Sequence, residues 1–247
     1  MNDFTGMVAI VTGGASGIGA ATVSTLLSRG ATVASLDRSY TAVEHRAVLN
    51  VPCDVADPES AAAAVATVVD TLGHIDILVN NAGIGAVGDI AVDDDEEWAR
   101  VLSMNVTAIA RITRAAMPYL RQSAQAVIVN TCFVVADVGA PQQALYAASN
   151  GAVQALTLAM AADHVDHGIR VNGVLPGTAD TPWAERFPGQ APDAAQAAAL
   201  NARRPMGRLI TGTEVAHAIA YLCSPLSGST TGTMLAVDGE AAGTGVG

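Results

Sequence analysis

The chain has 247 residues, of which 51% are hydrophobic and 14% charged, and its formal net charge is −11. This composition can bury a large core, but an acidic surface repels phosphate backbones and lacks the basic clusters that bind anionic membranes. We therefore expect neither a nucleic-acid nor a membrane partner. Three widely spaced cysteines and no signal-peptide pattern indicate a cytoplasmic protein. The histidines lack metal-ligand spacing, so no metal site is expected.

Short apolar runs alternate with helical patterns along the chain. Strands are predicted at 7–11, 31–36, 75–79, 126–131, 169–174 and 234–237. Helices are predicted at 18–29, 58–72 (with Asp57 as N-cap), 100–120 and 143–165. Continuous apolar strands separated by helices predict a parallel sheet covered on both faces. The expected fold is a single-domain α/β Rossmann fold over residues 1–247. Its doubly wound sheet has about seven strands, and a substrate flap lies at about 182–207.

The first predicted strand leads into a glycine-rich turn, Thr12 to Gly19, and then into a helix. In this context the first glycine permits a tight turn, the second lets the backbone approach a pyrophosphate, and the third lets the helix pack close to the sheet. The helix N-terminus adds free N–H groups and partial positive charge. The cofactor contacts predicted here are Gly13, Ser16, Gly17, Ile18 and Gly19.

An acidic residue, Asp37, ends the next predicted strand 18 residues after Gly19. A carboxylate at this place can bind the adenosine ribose hydroxyls and repels a 2′-phosphate. We therefore expect NAD(H) as the cofactor rather than NADP(H). Arg38 keeps NADP(H) open, because an arginine can accommodate the phosphate.

Further motifs resemble those of the short-chain dehydrogenase/reductase family over essentially the whole chain. The turn is similar to the family's TGxxxGxG, residues 80–83 to its NNAG signature, and Tyr146 to its catalytic tyrosine. The resemblance implies a proton-relay role for Asn105, a small-molecule substrate and a homo-oligomer, either tetramer or dimer. It also implies cofactor contacts from Asp54, Val55, Asn81, Ala82, Gly83, Tyr146, Asn150, Pro176, Gly177, Ala179 and Thr181.

Two positions depart from the family pattern. The family's catalytic serine, thirteen residues before the tyrosine, is Phe133 here, and its lysine, four residues after the tyrosine, is Asn150. An ordinary tyrosine has a pKa of about 10, so without the lysine Tyr146 is a proton donor and a poor base. Asn150 has the length to hydrogen-bond the nicotinamide ribose, whereas Phe133 offers no oxyanion partner. The expected catalytic set is Tyr146, Asn105, Asn150 and Phe133.

Two classes of function fit these residues. The first is an NAD(H)-dependent oxidoreductase that reduces a C=O or C=N group, or oxidises the alcohol or amine, with Tyr146 as proton donor. Phe133 and the nearby Asp137 would suit a cationic iminium, which needs no oxyanion partner. The second is a catalytically degenerate relative that serves as a structural or cofactor-sensing protein. An engineered active-site variant is a further explanation of the same two substitutions.

Overall fold

A computed structural model describes residues 2–39, 45–180 and 206–239. The strands are β1 (Val8–Thr12), β2 (Thr32–Asp37), β3 (Val48–Pro52), β4 (Ile77–Asn80), β5 (Val127–Thr131), β6 (Arg170–Pro176), β7 (Ala179–Asp180), β8 (Ile210–Thr211) and β9 (Met234–Val237). The helices are α1 (Gly17–Ser28), α2 (Pro58–Leu72), α3 (Asp95–Leu102), α4 (Ala108–Leu120), α5 (Val135–Val138), α6 (Ala144–His164) and α7 (Gly212–Cys223).

Seven of these strands form one parallel sheet in the order β3-β2-β1-β4-β5-β6-β9. The chain starts in the middle at β1, winds outward to β3, returns to β4 and continues to β9. The reversal between β1 and β4 opens a crevice at the carboxyl ends of the strands, where ligands bind in sheets of this kind. The doubly wound fold predicted from the sequence is confirmed.

The core lies on both faces of the sheet because successive side chains of each strand alternate between the faces. In β1, Val8 and Ile10 pack into one apolar cluster with α2, α4 and the end of α6. Ala9 and Val11 pack into a second cluster with α1 and α7. Within the described ranges, no helix has the length and apolarity needed to cross a membrane.

The helix predicted at 58–72 is confirmed together with its N-cap. Asp57 has extended backbone angles, and its Oδ1 accepts a hydrogen bond from the Glu59 backbone N at 3.0 Å. Pro58 occupies the first helical position, where no N–H is needed. Gly73 ends the helix in the left-handed conformation, with φ of 87°.

The continuous helix predicted at 100–120 is wrong in two respects. The helix begins earlier, at Asp95, because Asp94 caps it and acidic residues in its first turn complement the helix dipole. It is also interrupted by a π-helical turn over Ser103–Thr107. Such a turn accommodates an extra residue, and it frequently marks a functional position. Here the turn carries the buried Asn105.

The C-terminal end of α7 is capped by a side chain from the sheet. Nη1 of Arg170, the first residue of β6, donates to the Leu222 carbonyl oxygen at 2.7 Å, and its Nη2 donates to the carbonyl oxygens of Cys223 and Ser224 at 3.4 and 3.2 Å. These carbonyls have no partner within the helix. One half-buried guanidinium therefore satisfies the end of α7 and attaches it to β6.

We predict that Arg170→Met lowers the free energy of unfolding by about 3 kcal/mol, because it removes the charged hydrogen-bond donors from the carbonyls at the end of α7. Arg100→Met is the matched control: Arg100 is exposed and pairs with Glu97 one turn away, so its loss costs under about 1 kcal/mol. Urea unfolding measures both variants. Equal losses would contradict the capping role of Arg170.

Candidate active site

The glycine-rich turn has a backbone that requires its glycines. Gly13 and Gly17 have φ of 67° and 54°, in the left-handed region that side chains disfavour. A β-carbon on Gly19 would overlap the carbonyl oxygen of Gly13, so α1 can approach the turn only without one. Ser16 precedes α1 with no side-chain cap, so its side chain leaves the first N–H groups of the helix free for an anionic ligand.

Hydrogen bonds of Thr12 link this turn to the loop that follows β4. Its buried hydroxyl accepts hydrogen bonds from the backbone N of Asn81 at 2.9 Å and of Ala82 at 3.0 Å. The Asn81 side chain returns a hydrogen bond to the Thr12 carbonyl oxygen at 3.1 Å. The predicted cofactor residues of β1 and β4 are thereby held side by side.

Asp37 ends β2 beside the same turn. Its Oδ2 accepts a hydrogen bond from the Ala15 backbone N at 3.1 Å, and its Oδ1 accepts one from the Ser39 N at 3.0 Å. These contacts place the carboxylate next to the backbone of the glycine-rich turn. A dinucleotide whose pyrophosphate lay on the turn would have its adenosine ribose within reach of this carboxylate.

The other predicted cofactor residues lie at the same edge of the sheet. Asp54 and Val55 directly follow β3, Gly83 follows β4, and Pro176 ends β6, with Gly177 and Ala179 next in the chain. The carboxyl ends of parallel strands meet at one edge, so the fold brings these residues together. Thr181 lies outside the described residues, as do residues 182–205 of the predicted flap.

Asn105 connects two walls of the site. Its side-chain amide donates to the Ile84 carbonyl oxygen at 2.9 Å and accepts from the Ile84 backbone N at 2.8 Å. The amide nitrogen also donates to the Ser149 hydroxyl at 3.1 Å. Ser149 in turn donates to the Tyr146 carbonyl oxygen at 2.8 Å. The loop after β4 and the start of α6 are therefore linked through one buried amide.

Tyr146 lies in the first turn of α6 and is only 8% exposed. Burial raises the pKa of its hydroxyl above the ordinary value, because the anion loses its hydration, while a hydrogen bond with the Asn150 side chain lowers that pKa. The burial effect is the larger one. Tyr146 therefore holds its proton across the neutral range and can act as an acid.

The ring of Phe133 packs against Tyr146, with 5.6 Å between the ring centroids and an interplanar angle of 51°. Cys132, the residue before Phe133, offers no exposed donor in place of the family's serine. Cys132 is buried in a separate apolar cluster, and burial raises the pKa of its thiol to about 12. Thr131 ends β5, and its hydroxyl is buried without a hydrogen-bond partner.

Asn150 is buried one helical turn after Tyr146. Its Nδ2 donates to the Tyr146 carbonyl oxygen at 2.9 Å. Asp137, expected to add charge to the substrate loop, is exposed and accepts a hydrogen bond from Gln154 Nε2 at 3.0 Å. Asp137 is thus engaged with α6 at the protein surface.

The contacts of several residues were not predicted from the sequence. Thr12 was predicted only as the start of the turn, although its hydroxyl links the end of β1 to the loop after β4. Ser149, which links Asn105 to α6, was not predicted, and neither was the apolar wall around Tyr146 that includes Ile84 and Trp98. The spacing of Ser149, three residues after Tyr146, was the available signal for a shared helix face.

Comparison with known proteins places this geometry in a family. A family model described as enoyl-(acyl carrier protein) reductase matches residues 13–240. The cis-4-hydroxycyclohexanecarboxylate dehydrogenase of Sinomonas cyclohexanicum is 37% identical over 246 residues, 96% of each chain. The inactive 2-(S)-hydroxypropyl-CoM dehydrogenase 2 of Xanthobacter autotrophicus is 38% identical over 217 residues, 85% of this chain and 94% of that one.

A solved structure of a related enzyme has a similar fold. The 3-ketoacyl-(acyl-carrier-protein) reductase of Brucella melitensis, complexed with NADH, matches with a TM-score of 0.89 and 31% identity. The match covers 97% of this chain and 99% of that chain. The chain therefore belongs to the short-chain dehydrogenase/reductase family of oxidoreductases, as its motifs predicted.

The raised pKa of Tyr146 predicts a pH dependence of stability. The contribution of Tyr146 to the free energy of unfolding is fully present at pH values below its pKa in the unfolded chain, which is about 10. It is lost as the pH rises through the higher folded pKa, because the unfolded chain releases the proton first. Between pH ~9 and ~11, the free energy of unfolding should fall more steeply for the wild type than for Tyr146→Phe, by up to about 1.4 kcal/mol per pH unit. Urea unfolding at each pH measures this. Parallel slopes would contradict it.

Proposed function

We propose that this protein is an NAD(H)-dependent oxidoreductase that reduces a C=O or C=N group of a small molecule, or oxidises the corresponding alcohol or amine. Tyr146 is the proton donor. The observation that carries the proposal is the placement of a buried tyrosine at the same sheet edge as the glycine-rich turn. The whole chain would serve as one catalytic domain, with the segment at about 182–207 covering the substrate.

Several contacts support a nicotinamide dinucleotide at this edge. The turn offers helix N–H groups to a pyrophosphate, and Asp37 offers a carboxylate to the adenosine ribose. The carboxylate favours NAD(H) over NADP(H), since a 2′-phosphate would meet its negative charge. The related Brucella reductase was solved with NADH, which supports this choice. When bound, the cofactor supplies or accepts a hydride.

Tyr146 supplies the proton that a reduced carbonyl oxygen needs. Its burial keeps the hydroxyl protonated, and the contacts through Ser149 and Asn105 fix the start of α6 against the loop after β4. General acid catalysis of this kind contributes about 10²- to 10⁴-fold. The same burial makes Tyr146 a poor base, so the site favours reduction over alcohol oxidation.

The proposed catalytic set is Tyr146, Asn105, Asn150 and Phe133, with Phe133 and Asn150 at the places of the family's serine and lysine. Phe133 forms an aromatic wall against Tyr146. Asn150 holds the Tyr146 carbonyl oxygen through its amide nitrogen and leaves its oxygen to accept from a ribose hydroxyl. Neither residue brings a positive charge.

A second function, a catalytically degenerate protein that binds the cofactor without turnover, has one observation in its favour. The Xanthobacter relative at 38% identity carries the description inactive. Replacement of the family's catalytic serine and lysine by Phe133 and Asn150 fits a protein that binds the cofactor without turnover. The same dinucleotide contacts would then serve cofactor sensing or a structural purpose.

Reduction assays with NADH separate the two functions. We expect turnover of at least one substrate in a panel of ketones, keto sugar acids and cyclic imines. Tyr146→Phe should lower ketone turnover by about 10²-fold or more. NADH that binds without any turnover, together with a Tyr146→Phe variant that behaves as the wild type, would support the degenerate relative instead.

The same assays test the cofactor choice. Asp37→Asn keeps the shape of the side chain and removes its charge, so the ratio of NADPH to NADH affinity should rise about tenfold or more. Asp166→Asn, an exposed change of equal charge, is the control and should leave the ratio unchanged. An unchanged ratio in Asp37→Asn would count against the proposed ribose contact.

We also propose that the protein forms a homo-oligomer through α4 and α6. A largely apolar groove of about 400 Å³ lies between these helices, lined by Ala110, Thr113, Arg114, Met117, Pro118, Arg121, Leu156, Met160 and His164. A second copy would bury this surface. A two-fold contact uses the same surface patch on both copies, which lets each groove cover the other.

Light scattering of the purified protein tests this surface. The wild type should be a dimer or tetramer, and Leu156→Glu should shift it toward the monomer because a charge would be buried at the contact. Leu226→Glu, at an exposed leucine outside the groove, should leave the oligomer intact. A monomeric wild type, or equal behaviour of both variants, would refute the proposal.

A further inference from the structure

Thr131 ends β5 and carries a hydroxyl whose hydrogen bonds are not satisfied. The oxygen of this hydroxyl is buried, and among the described residues it has no hydrogen-bond partner. The buried Thr157 is different, because its hydroxyl donates to the Val153 carbonyl oxygen at 2.7 Å and accepts from Asn130 Nδ2 at 2.9 Å. A buried hydroxyl that has lost its hydrogen bonds with water costs free energy. The oxygen of Thr131 is therefore a group that a ligand can stabilise.

The register of the sheet gives the face on which Thr131 lies. Thr131 pairs with Val174 of β6 and follows Val129 by two residues. Both valines pack into the apolar cluster that β1 forms with α1 and α7. Because successive side chains of a strand alternate between the two faces, Thr131 lies on the face that these helices cover. This is the face of α1, the helix that begins in the glycine-rich turn.

A row of residues across the sheet connects Thr131 with the glycine-rich turn. Asn80 of β4 pairs with Asn130 of β5. The next residues in the chain are Asn81 and Thr131, which therefore lie at the same level of the sheet. Nδ2 of Asn81 donates to the carbonyl oxygen of Gly13, in the turn, at 3.4 Å. Since neighbouring strands are about 4.8 Å apart, Thr131 lies about 10 Å from the turn, two strands away.

Further along the chain, Thr131 is followed by the wall that contains Tyr146. The chain stays extended beyond β5, because the Cys132 backbone N donates to the Val174 carbonyl oxygen at 2.9 Å, and the N–H two residues later continues this pattern along β6 at 3.0 Å. In an extended chain, Phe133 lies on the same face as Thr131, about 7 Å away. Phe133 in turn packs against Tyr146. Thr131 is thus one pleat from this aromatic pair and two strands from the turn.

A change of rotamer brings the Thr131 hydroxyl into the crevice at the strand ends. Thr131 is partly exposed, whereas the four preceding residues of β5 are buried. Its exposed part therefore lies at the carboxyl edge of the sheet, where the strand ends. Rotation about χ1 from one staggered position to another exchanges the shielded hydroxyl with the methyl group. Because the hydroxyl has no partner among the described residues, this rotation breaks no hydrogen bond there.

Given the proposed function, we propose that the Thr131 hydroxyl binds the nicotinamide half of the dinucleotide, at its ribose or its carboxamide. A dinucleotide with its pyrophosphate on the glycine-rich turn and its nicotinamide beside Tyr146 extends across the end of β5. A hydroxyl both donates and accepts, so it can pair with a ribose hydroxyl or with a carboxamide group. Binding then satisfies a group that is unpaired in the free protein, so Thr131 contributes to cofactor affinity without transferring a proton.

Calorimetry with NADH tests this contact through matched variants. Thr131→Val keeps the shape of the side chain and removes the hydroxyl, so the affinity for NADH should fall about fivefold, as expected for the loss of one neutral hydrogen bond. Thr131→Ser keeps the hydroxyl and should bind NADH within about twofold of the wild type. Equal affinities of the two variants would overturn the proposal and leave the proposed function intact, whereas failure of the wild type to bind NADH would refute the proposed function itself.

Fragments of the cofactor locate the contact. ADP lacks the nicotinamide half, so its affinity should be the same for Thr131→Val and the wild type. ADP-ribose keeps the second ribose: weaker binding to Thr131→Val assigns the contact to the ribose, and unchanged binding assigns it to the carboxamide. An equal loss of affinity for ADP and NADH would mean that the substitution disturbs the glycine-rich turn, and it would refute the proposal.

Urea unfolding without cofactor separates this role from a structural one. Thr131→Val should leave the unfolding midpoint unchanged or raise it, since the hydroxyl has no partner to lose. Thr157→Val is the control: it removes a hydroxyl with two hydrogen bonds, so it should lower the midpoint and leave the affinity for NADH unchanged. A loss of stability in Thr131→Val equal to that in Thr157→Val would show that the hydroxyl serves the fold and would overturn the proposal.

Discussion

The arrangement of the site depends on the hydroxyl of Thr12. This side chain is 3% exposed, and its oxygen accepts two backbone N–H groups from the loop after β4. Hydrogen bonds between neighbouring parallel strands fix the register of the strands only. They do not hold together the segments that follow the strand ends. By joining the two ends, Thr12 gives the glycine-rich turn and the following loop one fixed relation.

From that loop, a line of polar contacts leads to Tyr146 on α6. The loop continues to Ile84, whose backbone is held at both ends by the Asn105 amide. The π-helical turn places Asn105 there, and its remaining donor reaches Ser149 on α6. Because Thr12, Asn105 and Ser149 are themselves buried, a shift at any one of them leaves a polar side chain unpaired, which is costly. Hydrogen bonds of Thr12, Asn105 and Ser149 thus position Tyr146 relative to the glycine-rich turn.

The sequence predicted the parts of this structure that have local causes. The glycine-rich turn, the Asp57 cap and most strands follow from backbone geometry and apolar runs. Strand β3 was missed because Asn50 and Pro52 interrupt its apolar pattern. The π-helical turn at Asn105 was missed because no local spacing signals it, and the partner of Asn105, Ile84, lies far away in the sequence. The burial of Tyr146 and its packing on Phe133 likewise depend on tertiary structure, so no spacing revealed them.

Binding of NADH is the measurement that tests the account most directly. Fluorescence titration of the wild type should show saturable binding, and Gly19→Ala should abolish it because the added carbon would overlap the turn. Gly151→Ala, in α6 with open space at its β-carbon, should bind NADH as the wild type does. If the wild type failed to bind NADH, or if Gly19→Ala bound it equally well, the turn would not be the dinucleotide site and the account would be contradicted.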